Sequence, residues 1–188
     1  MSRVDNLVSN YKRHLSVPIQ PGLPMSQRTW FLVYPPEDER RVMNRTEEFA
    51  LTTSSADLQW MLVDLSGSFS SWMDTFDPDE RDMCLSDPQL VEEYADPGYI
   101  NFVISTIKNA FSEIPSKQAD QTVVALSGLM ELFDFIHVSS VIEGLEGSFT
   151  GIIAVFFPGE REQNTYKFIG ARSGWDYLAV PILSEKQI

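Results

Sequence analysis

The amino-acid sequence predicts one α/β domain over residues 1–188, with an open, mostly parallel five-stranded sheet flanked by helices. Five short runs of branched and aromatic residues are nearly continuous in apolar character, which is typical of strands covered on both faces. These runs are Trp30 to Tyr34, Trp60 to Leu65, Thr122 to Leu126, Ile152 to Phe157 and Tyr177 to Ile182. Helical patterns separate them, which favours right-handed crossovers and a fold of the Rossmann-like or P-loop-like kind.

Two segments precede the first strand. Residues 1–16 form an amphipathic helix, because apolar residues recur at spacings of three and four. Its stripe consists of Val4, Leu7, Val8, Tyr11 and Leu15. The stripe packs either on the domain or on a partner, and Leu7 and Tyr11 are predicted partner-binding residues. Residues 17–28 are predicted to be a connector, since VPIQPGLP holds three prolines and a glycine.

The helices between the strands are marked by periodicity and by caps. Helical periodicity covers Arg40 to Ala50, Phe69 to Phe76, Ile100 to Ile114 and Leu129 to Leu145. The last of these is apolar on most sides, with a break into two helices near His137 as an alternative. Asp87 followed by Pro88 predicts a cap and a helix start, and Pro158-Gly159 predicts a turn at the end of the fourth strand.

The charge is strongly acidic and unevenly placed. The formal net charge is −13, and the segment from Asp64 to Asp96 holds ten acids against one base, Arg81. Such a surface repels a phosphate backbone, so direct nucleic-acid binding is not expected. The acidic segment is either a solvated face or a docking patch for a basic partner.

The remaining composition predicts a soluble, cytoplasmic protein. The longest apolar run, Ile152 to Phe157, is far shorter than a membrane helix, and the first residues do not form a secretory signal. Cys84 is the only cysteine, so neither an internal disulfide nor a cysteine-based zinc site is expected.

The stretch TVVALSGLMELFDF, from Thr122 to Phe135, has the outline of a nucleotide-binding loop, with a strand, a glycine and a helical pattern. A phosphate loop needs several glycines, a lysine and a hydroxyl in the pattern GxxxxGK[ST]. Residues 127–131 hold one glycine, no lysine and a terminal acid, Glu131. The sequence therefore predicts a degenerate P-loop-like domain without a phosphate-binding loop, and no cofactor.

Carboxylates at the predicted strand ends are the main catalytic candidates. Glu37, Asp38, Asp64 and Glu160 either converge to hold a magnesium ion or simply face solvent. His14 and His137 are expected to be structural, and none of the serines lies in a GxSxG elbow. We predict that the protein is not an enzyme.

The last third, from Ile152 to Ile182, is the most distinctive region. It forms either a tight connection at the sheet edge or a recognition loop for a partner. Arg161, Arg172 and Trp175 are the predicted partner-binding residues of that loop, because arginine and tryptophan are common interface anchors.

Four stretches carry a resemblance to a known family. They are MSRVDNLVSNYKRHLSVP, WFLVYPPEDERR, TVVALSGLMELFDFIHVSSVIEGL and VFFPGEREQNTYKFIGARSGWDYLAVPI. With them the chain resembles the BrxB family, small subunits of the BREX bacteriophage-exclusion systems. The resemblance spans nearly the whole chain, with the acidic middle least recognisable, and it brings no catalytic residues with it.

The resemblance implies a non-catalytic subunit needed for phage exclusion and for methylation of host DNA. Its expected partners are other BREX proteins: an alkaline-phosphatase-like (PglZ-type) protein, a large (BrxC-type) ATPase and the (PglX-type) DNA adenine methyltransferase. Two alternatives stay open. One is a nucleotide- or metal-dependent enzyme that uses Asp64, Ser66 and Glu160, and the other is an acidic mimic of DNA.

Overall fold

A computed structural model describes residues 2–18, 20, 22–132, 135–162, 165–168, 175–176 and 178–185. Its sheet confirms the predicted α/β class, with parallel strands and flanking helices. The main strands are β1 (Thr29–Tyr34), β2 (Gln59–Asp64), β3 (Thr122–Ser127), β4 (Ile152–Glu162) and β7 (Val180–Leu183). They lie in the order β2-β3-β4-β1-β7. The short strands β5 (Thr165–Phe168) and β6 (Trp175–Asp176) extend the sheet from β4.

Strand β1 pairs in parallel with β4 on one side and with β7 on the other. Strand β3 pairs in parallel with the opposite edge of β4. All residues of β1 and β3 are buried, as expected for strands of a parallel sheet that are covered on both faces.

The chain divides into two compact units. The first comprises residues 1–63, 115–127 and 150–188, and the second comprises residues 64–114 and 128–149. Both units are assembled from separated stretches of sequence, so no single cut through the chain separates them. The first unit contains most of the sheet and the N-terminal helices, and the second is mainly helical.

Helix α1 (Arg3–Leu15) covers one face of the sheet in the first unit, together with α4 (Thr46–Ser54). The Tyr11 hydroxyl is hydrogen-bonded to Thr53 Oγ1 at 2.6 Å, and the Tyr11 ring contacts Trp30 and Phe49. The buried Asn10 donates to the carbonyl oxygens of Leu183 and Glu185 at 2.8 and 2.9 Å. These contacts fix α1 to the core and to the end of β7.

Two short helices complete the first unit. Helix α3 (Glu39–Met43) precedes α4, so the predicted helix from Arg40 to Ala50 is broken at Asn44 and Arg45. Helix α2 (Met25–Arg28) lies directly before β1, so the predicted connector over residues 17–28 ends in regular structure. Arg28 fixes this helix, because its guanidinium donates to the carbonyl oxygens of Leu23 and Gly151.

The second unit contains α5 (Ser68–Met73), α6 (Pro78–Ser86), α7 (Pro88–Tyr94), α8 (Ile100–Ser112) and α9 (Val138–Gly144). The predicted start at Asp87 is confirmed, because the Asp87 carboxylate accepts from the Gln89 N–H at 3.0 Å. A π-helical turn, Ala95–Tyr99, runs from α7 into α8. Aromatic side chains fill the core, with Trp72 stacked on Tyr99 at 5.2 Å between ring centroids.

The predicted helix from Leu129 to Leu145 is wrong as one element. Leu129–Leu132 forms a 3-10 turn, and α9 begins after His137, which has an extended backbone. The alternative of a break near His137 is confirmed for the break itself, but the described residues before it form only the 3-10 turn and not a second α-helix. Leu129, Leu132 and Val138 are all buried, whereas Met130 is 45% exposed, so the broken segment buries most but not all of these apolar side chains.

The predicted turn at Pro158-Gly159 is also wrong, because β4 continues through both residues to Glu162. Pro158 is the last residue of β4 that pairs with β1, opposite Tyr34, and from Gly159 onward β4 pairs with antiparallel β5. A Cβ atom on Gly159 would lie 2.3 Å from the Lys167 carbonyl oxygen. The glycine therefore permits the close approach of β5 instead of ending the strand.

The fifth predicted strand, Tyr177 to Ile182, is confirmed from Val180 onward. Tyr177 lies outside the described residues. Within the described part of the chain, no helix is both long and apolar enough to cross a membrane.

Candidate functional site

A cavity of about 340 Å³ lies in the first unit, where β1, β7 and the parallel part of β4 end. It is lined by the residues that follow β1 and β7, by Gly159 to Glu162 of β4, and by Arg3 of α1. In open α/β sheets, ligands bind beyond the carboxyl ends of the strands. This cavity is therefore the candidate ligand-binding site of the first unit.

The acids that follow β1 are paired with arginines. Asp38 has a side chain only 4% exposed, and its two carboxylate oxygens accept from Arg41 at 2.9 Å and from Arg3 at 3.4 Å. Arg3 also donates to Glu37 at 3.0 Å. These ion pairs occupy the carboxylates that a metal ion would need.

The end of β1 is closed by a further hydrogen bond. The Tyr34 hydroxyl donates to Glu39 Oε2 at 2.6 Å, and burial raises the pKa of Tyr34, so the hydroxyl stays protonated. The backbone N–H of Asp38 donates to the Pro35 carbonyl. A phosphate loop presents converging N–H groups and a lysine to its ligand, whereas this segment presents acids held by internal bonds.

A second strand-end arrangement lies in the second unit. Asp64 Oδ1 accepts from the Ser66 backbone N–H at 3.1 Å and from the Ser66 hydroxyl at 2.8 Å. Gly128 follows β3 with φ +75°, and a Cβ atom there would lie 2.4 Å from the Ser66 nitrogen. The glycine in the loop-like stretch TVVALSGLMELFDF thus allows two loops to touch, which explains its presence without a phosphate.

The extension of β4 forms the charged side of the cavity. Glu160 is exposed, and Glu162 accepts from Lys167 at 3.0 Å. The Arg161 guanidinium carbon lies 5.9 Å from the centroid of the Tyr166 ring, within the range of a cation–π contact. Tyr166 is buried against Phe31, with ring centroids 4.6 Å apart, so the Arg161 contact connects the cavity wall to the core.

The predicted metal ligands do not form one cluster among the described residues, where no group of three or more potential ligands is placed to hold a metal. Asp38 is paired with arginines, and Asp64 belongs to the second unit whereas Glu37 and Glu160 belong to the first. The residues of the alternative enzyme, Asp64, Ser66 and Glu160, are divided between the units in the same way.

The predicted partner-binding residues have different outcomes. Leu7 and Tyr11 are fully buried in the first unit, so they are not available to a partner. This prediction is wrong because the stripe of α1 packs on the sheet and on α4. Arg161 lines the cavity, Trp175 lies on β6 opposite Tyr166, and Arg172 lies outside the described residues.

Exposed apolar side chains on α6 were not predicted. Met83 is 47% exposed and Leu85 is 59% exposed, whereas Cys84 between them is 1% exposed. Three consecutive apolar residues in a helix point in directions about 100° apart, so only one of them can face the core. The run Met83-Cys84-Leu85 was the signal that could have identified this surface.

Comparison of the chain with known protein families, with curated proteins and with solved structures finds no match.

Proposed function

We propose that this protein is a non-catalytic assembly subunit of a BREX phage-defence complex and that it acts in the cytoplasm. It joins the ATPase to the alkaline-phosphatase-like protein, and the complex is needed for phage exclusion and for methylation of host DNA. The resemblance of the sequence to the BrxB family supports the assignment to a BREX system and the choice of these partner proteins.

One observation supports the non-catalytic part of the proposal, namely the internal engagement of three of the four strand-end carboxylates, those of Glu37, Asp38 and Asp64. Asp38 and Glu37 are paired with arginines, and Asp64 accepts two bonds from Ser66. Catalytic carboxylates need an oxygen directed at a substrate, water or metal. Here the same oxygens hold the loops that follow β1 and β2.

Complementation tests this proposal directly. A host strain that lacks the gene receives the wild-type chain or the carboxylate variant Asp64→Asn/Glu160→Gln, and phage exclusion and adenine methylation are measured. Both functions should be restored by the variant to the wild-type level. Loss of both functions with an equally abundant, folded variant would contradict the proposal.

The second candidate is a nucleotide- or metal-dependent enzyme, and the cavity at the strand ends is the observation that favours it. Its volume of about 340 Å³ falls within the range of small-molecule sites. Calorimetric titration with ATP, GTP and magnesium discriminates between the candidates. Heat of binding that disappears in Arg161→Ala would support an enzyme, whereas no heat at tens of micromolar protein would exclude this candidate.

A further inference from the structure

The cavity at the ends of β1, β7 and the parallel part of β4 lies where the strand order of the sheet reverses. From β1 the chain crosses to β2 at one edge of the sheet, whereas from β4 it leads to β7 on the other side of β1. In open α/β sheets, such a switch point is the usual place for a bound ligand. Every described residue that lines the cavity belongs to the first unit.

One buried hydroxyl of the cavity wall is available to a ligand. Ser184, directly after β7, is only 4% exposed. Its backbone N–H donates to the Val33 carbonyl at 3.0 Å, whereas its hydroxyl makes no hydrogen bond within the described part of the chain. Because Ser184 lines the cavity and is otherwise buried, its hydroxyl can be reached only from the cavity. A buried polar group without a partner is costly, so a ligand that bonds to it gains free energy.

Two carboxylates of the cavity wall are also available. Glu160 on β4 and Glu185 after β7 are exposed, and neither side chain has a hydrogen bond or an ion pair among the described residues. Lys167 on β5 lies opposite Glu160, but its ammonium is bonded to Glu162 at 3.0 Å. The cavity therefore offers two unpaired negative charges beside the Ser184 hydroxyl.

The positive groups of the wall are engaged within the fold. Arg3 donates to Glu37 at 3.0 Å and to Asp38 at 3.4 Å, and Arg161 lies over the Tyr166 ring. The net charge of −13 also repels anions from the whole surface. A phosphate or carboxylate ligand would meet unpaired acids here, whereas a cation would be attracted.

Apolar side chains in the wall favour an organic cation over a metal ion. Val33, Pro35 and Leu183 line the cavity together with the polar groups. A divalent metal ion needs several converging oxygen ligands, and no group of three or more potential ligands is placed for one in the part of the chain that the structure describes. An alkyl ammonium can instead pack its methylene groups on the apolar side chains and direct its N–H groups to the acids.

We propose that this cavity binds a small alkyl polyamine, with Glu160 and Glu185 accepting from its ammonium groups and the Ser184 hydroxyl accepting a further N–H bond. Each primary ammonium has three N–H donors and no acceptor, which matches two carboxylates and a hydroxyl. Two separate unpaired acids favour a ligand with more than one ammonium, because each acid can then form a charge-assisted bond. The binding site does not depend on the assembly role.

Calorimetric titration of the full chain with spermidine at about 0.1 M salt tests the acids. The wild type should bind a single spermidine, and Glu160→Gln/Glu185→Gln should bind it at least about tenfold more weakly. The control Glu47→Gln/Asp120→Asn removes two exposed acids elsewhere in the first unit, and it should bind like the wild type. Equal weakening in the two double variants, or no binding by the wild type, would overturn the site.

The hydroxyl and the number of ammonium groups are tested in the same titration. Ser184→Ala should bind spermidine about threefold to tenfold more weakly, because one N–H bond to the ligand is lost. Butylamine, which has the single ammonium of a lysine side chain, should bind the wild type at least about tenfold more weakly than spermidine. Wild-type affinity in Ser184→Ala, or equal affinities for butylamine and spermidine, would overturn the polyamine site.

Methyl NMR of the wild type locates the ligand without a substitution. Spermidine should shift the methyl signals of Val33 and Leu183 in the cavity wall and leave those of Leu51, which is 68% exposed on α4, unchanged. Equal shifts at all three residues would mean general attraction to an acidic surface and would overturn the site. Binding of ATP that disappears in Arg161→Ala, together with no binding of spermidine, would also overturn it and would support the enzyme.

Discussion

At the residue scale, the loops after β2 and β3 are held together by individual contacts that leave no room for an added side chain. Gly128 combines a left-handed backbone with direct contact to the loop after β2, so a side chain there meets both backbone strain and a clash. Gly147 has a similar φ, +73°, but no atom lies within 4 Å of the position of a Cβ. Substitutions at Gly128 and Gly147 therefore distinguish the cost of backbone strain plus a steric clash from the cost of backbone strain alone.

Gly128→Ala should destabilise the protein by about 2 to 4 kcal/mol, because left-handed strain is added to a clash with backbone atoms that cannot move aside. Gly147→Ala should cost only about 1 kcal/mol, from the strain alone. Urea unfolding of both variants measures the difference. Equal losses would mean that the loops after β2 and β3 do not touch as described.

Asp5 predicts how acid affects the first helix. Hydrogen bonds from the Ser2 backbone and from Arg45 lower the pKa of Asp5 to about 2, whereas the pKa of an unfolded aspartate is about 4. Because the folded pKa is the lower one, the ionised carboxylate stabilises the fold above about pH 4, and this contribution is lost as the pH falls toward about 2.

The wild type should therefore have a higher urea midpoint than Asp5→Asn near neutral pH, and the difference should shrink to nearly zero as the pH falls from about 4 to about 2. Parallel urea titrations across this range measure it. A difference that stays constant down to the lowest pH would show that the capping box and the Arg45 ion pair do not lower this pKa.

At the element scale, α1 is a structural helix. Its stripe was expected to pack either on the domain or on a partner, and the structure buries it against β1 and α4. Leu7→Ala should destabilise the protein by about 2 to 5 kcal/mol, as for other fully buried leucines. Ser9→Ala, an exposed site on the same helix, should change stability by less than about 0.5 kcal/mol.

Thermal or urea unfolding of Leu7→Ala and Ser9→Ala distinguishes a packed helix from a detached one. If both variants unfold like the wild type, α1 does not pack on the sheet, and its stripe would again be a candidate for partner binding.

Helix α6 should behave in the opposite way. Met83→Gln/Leu85→Gln should leave the free energy of unfolding within about 0.5 kcal/mol of the wild-type value, because both side chains are exposed and glutamine is a good helix former. Urea unfolding measures it. A loss of several kcal/mol would show that these side chains are buried in the fold and unavailable to a partner.

The strands were predictable because each is a short apolar run, and all five predicted runs contain a strand or most of one. The extension of β4 was not predictable, since its residues pair with β5 and Pro158-Gly159 alone is typical of a turn. The break before α9 depends on which apolar side chains pack into the tertiary core. The helical periodicity of the segment does not show which of them do so.

The candidate site was only partly predictable for the same reason. Sequence order places Glu37, Asp38 and Asp64 at strand ends, but it does not show that Arg3 and Arg41 pair with Asp38 or that Ser66 binds Asp64. Arg3 lies 35 residues from Asp38. Pairings over such distances are products of the tertiary fold, so the sequence alone left a metal site open.

At the scale of the whole molecule, the net charge of −13 makes any complex with a basic partner sensitive to salt. The complex of the tagged chain should therefore weaken as the salt concentration rises from about 0.1 M to about 1 M. Retention at increasing salt on an affinity column measures this. Retention that is unchanged at about 1 M salt would contradict an electrostatic contribution to the complex.

The measurement that tests the assembly role most directly is the mass of the complex that a tagged copy forms with the other proteins of its operon. Size-exclusion chromatography with mass determination should give one species in which the chain and the ATPase or the alkaline-phosphatase-like protein occur in a fixed ratio. Elution of the chain alone, at its own mass of 21.3 kDa, would contradict the assembly role.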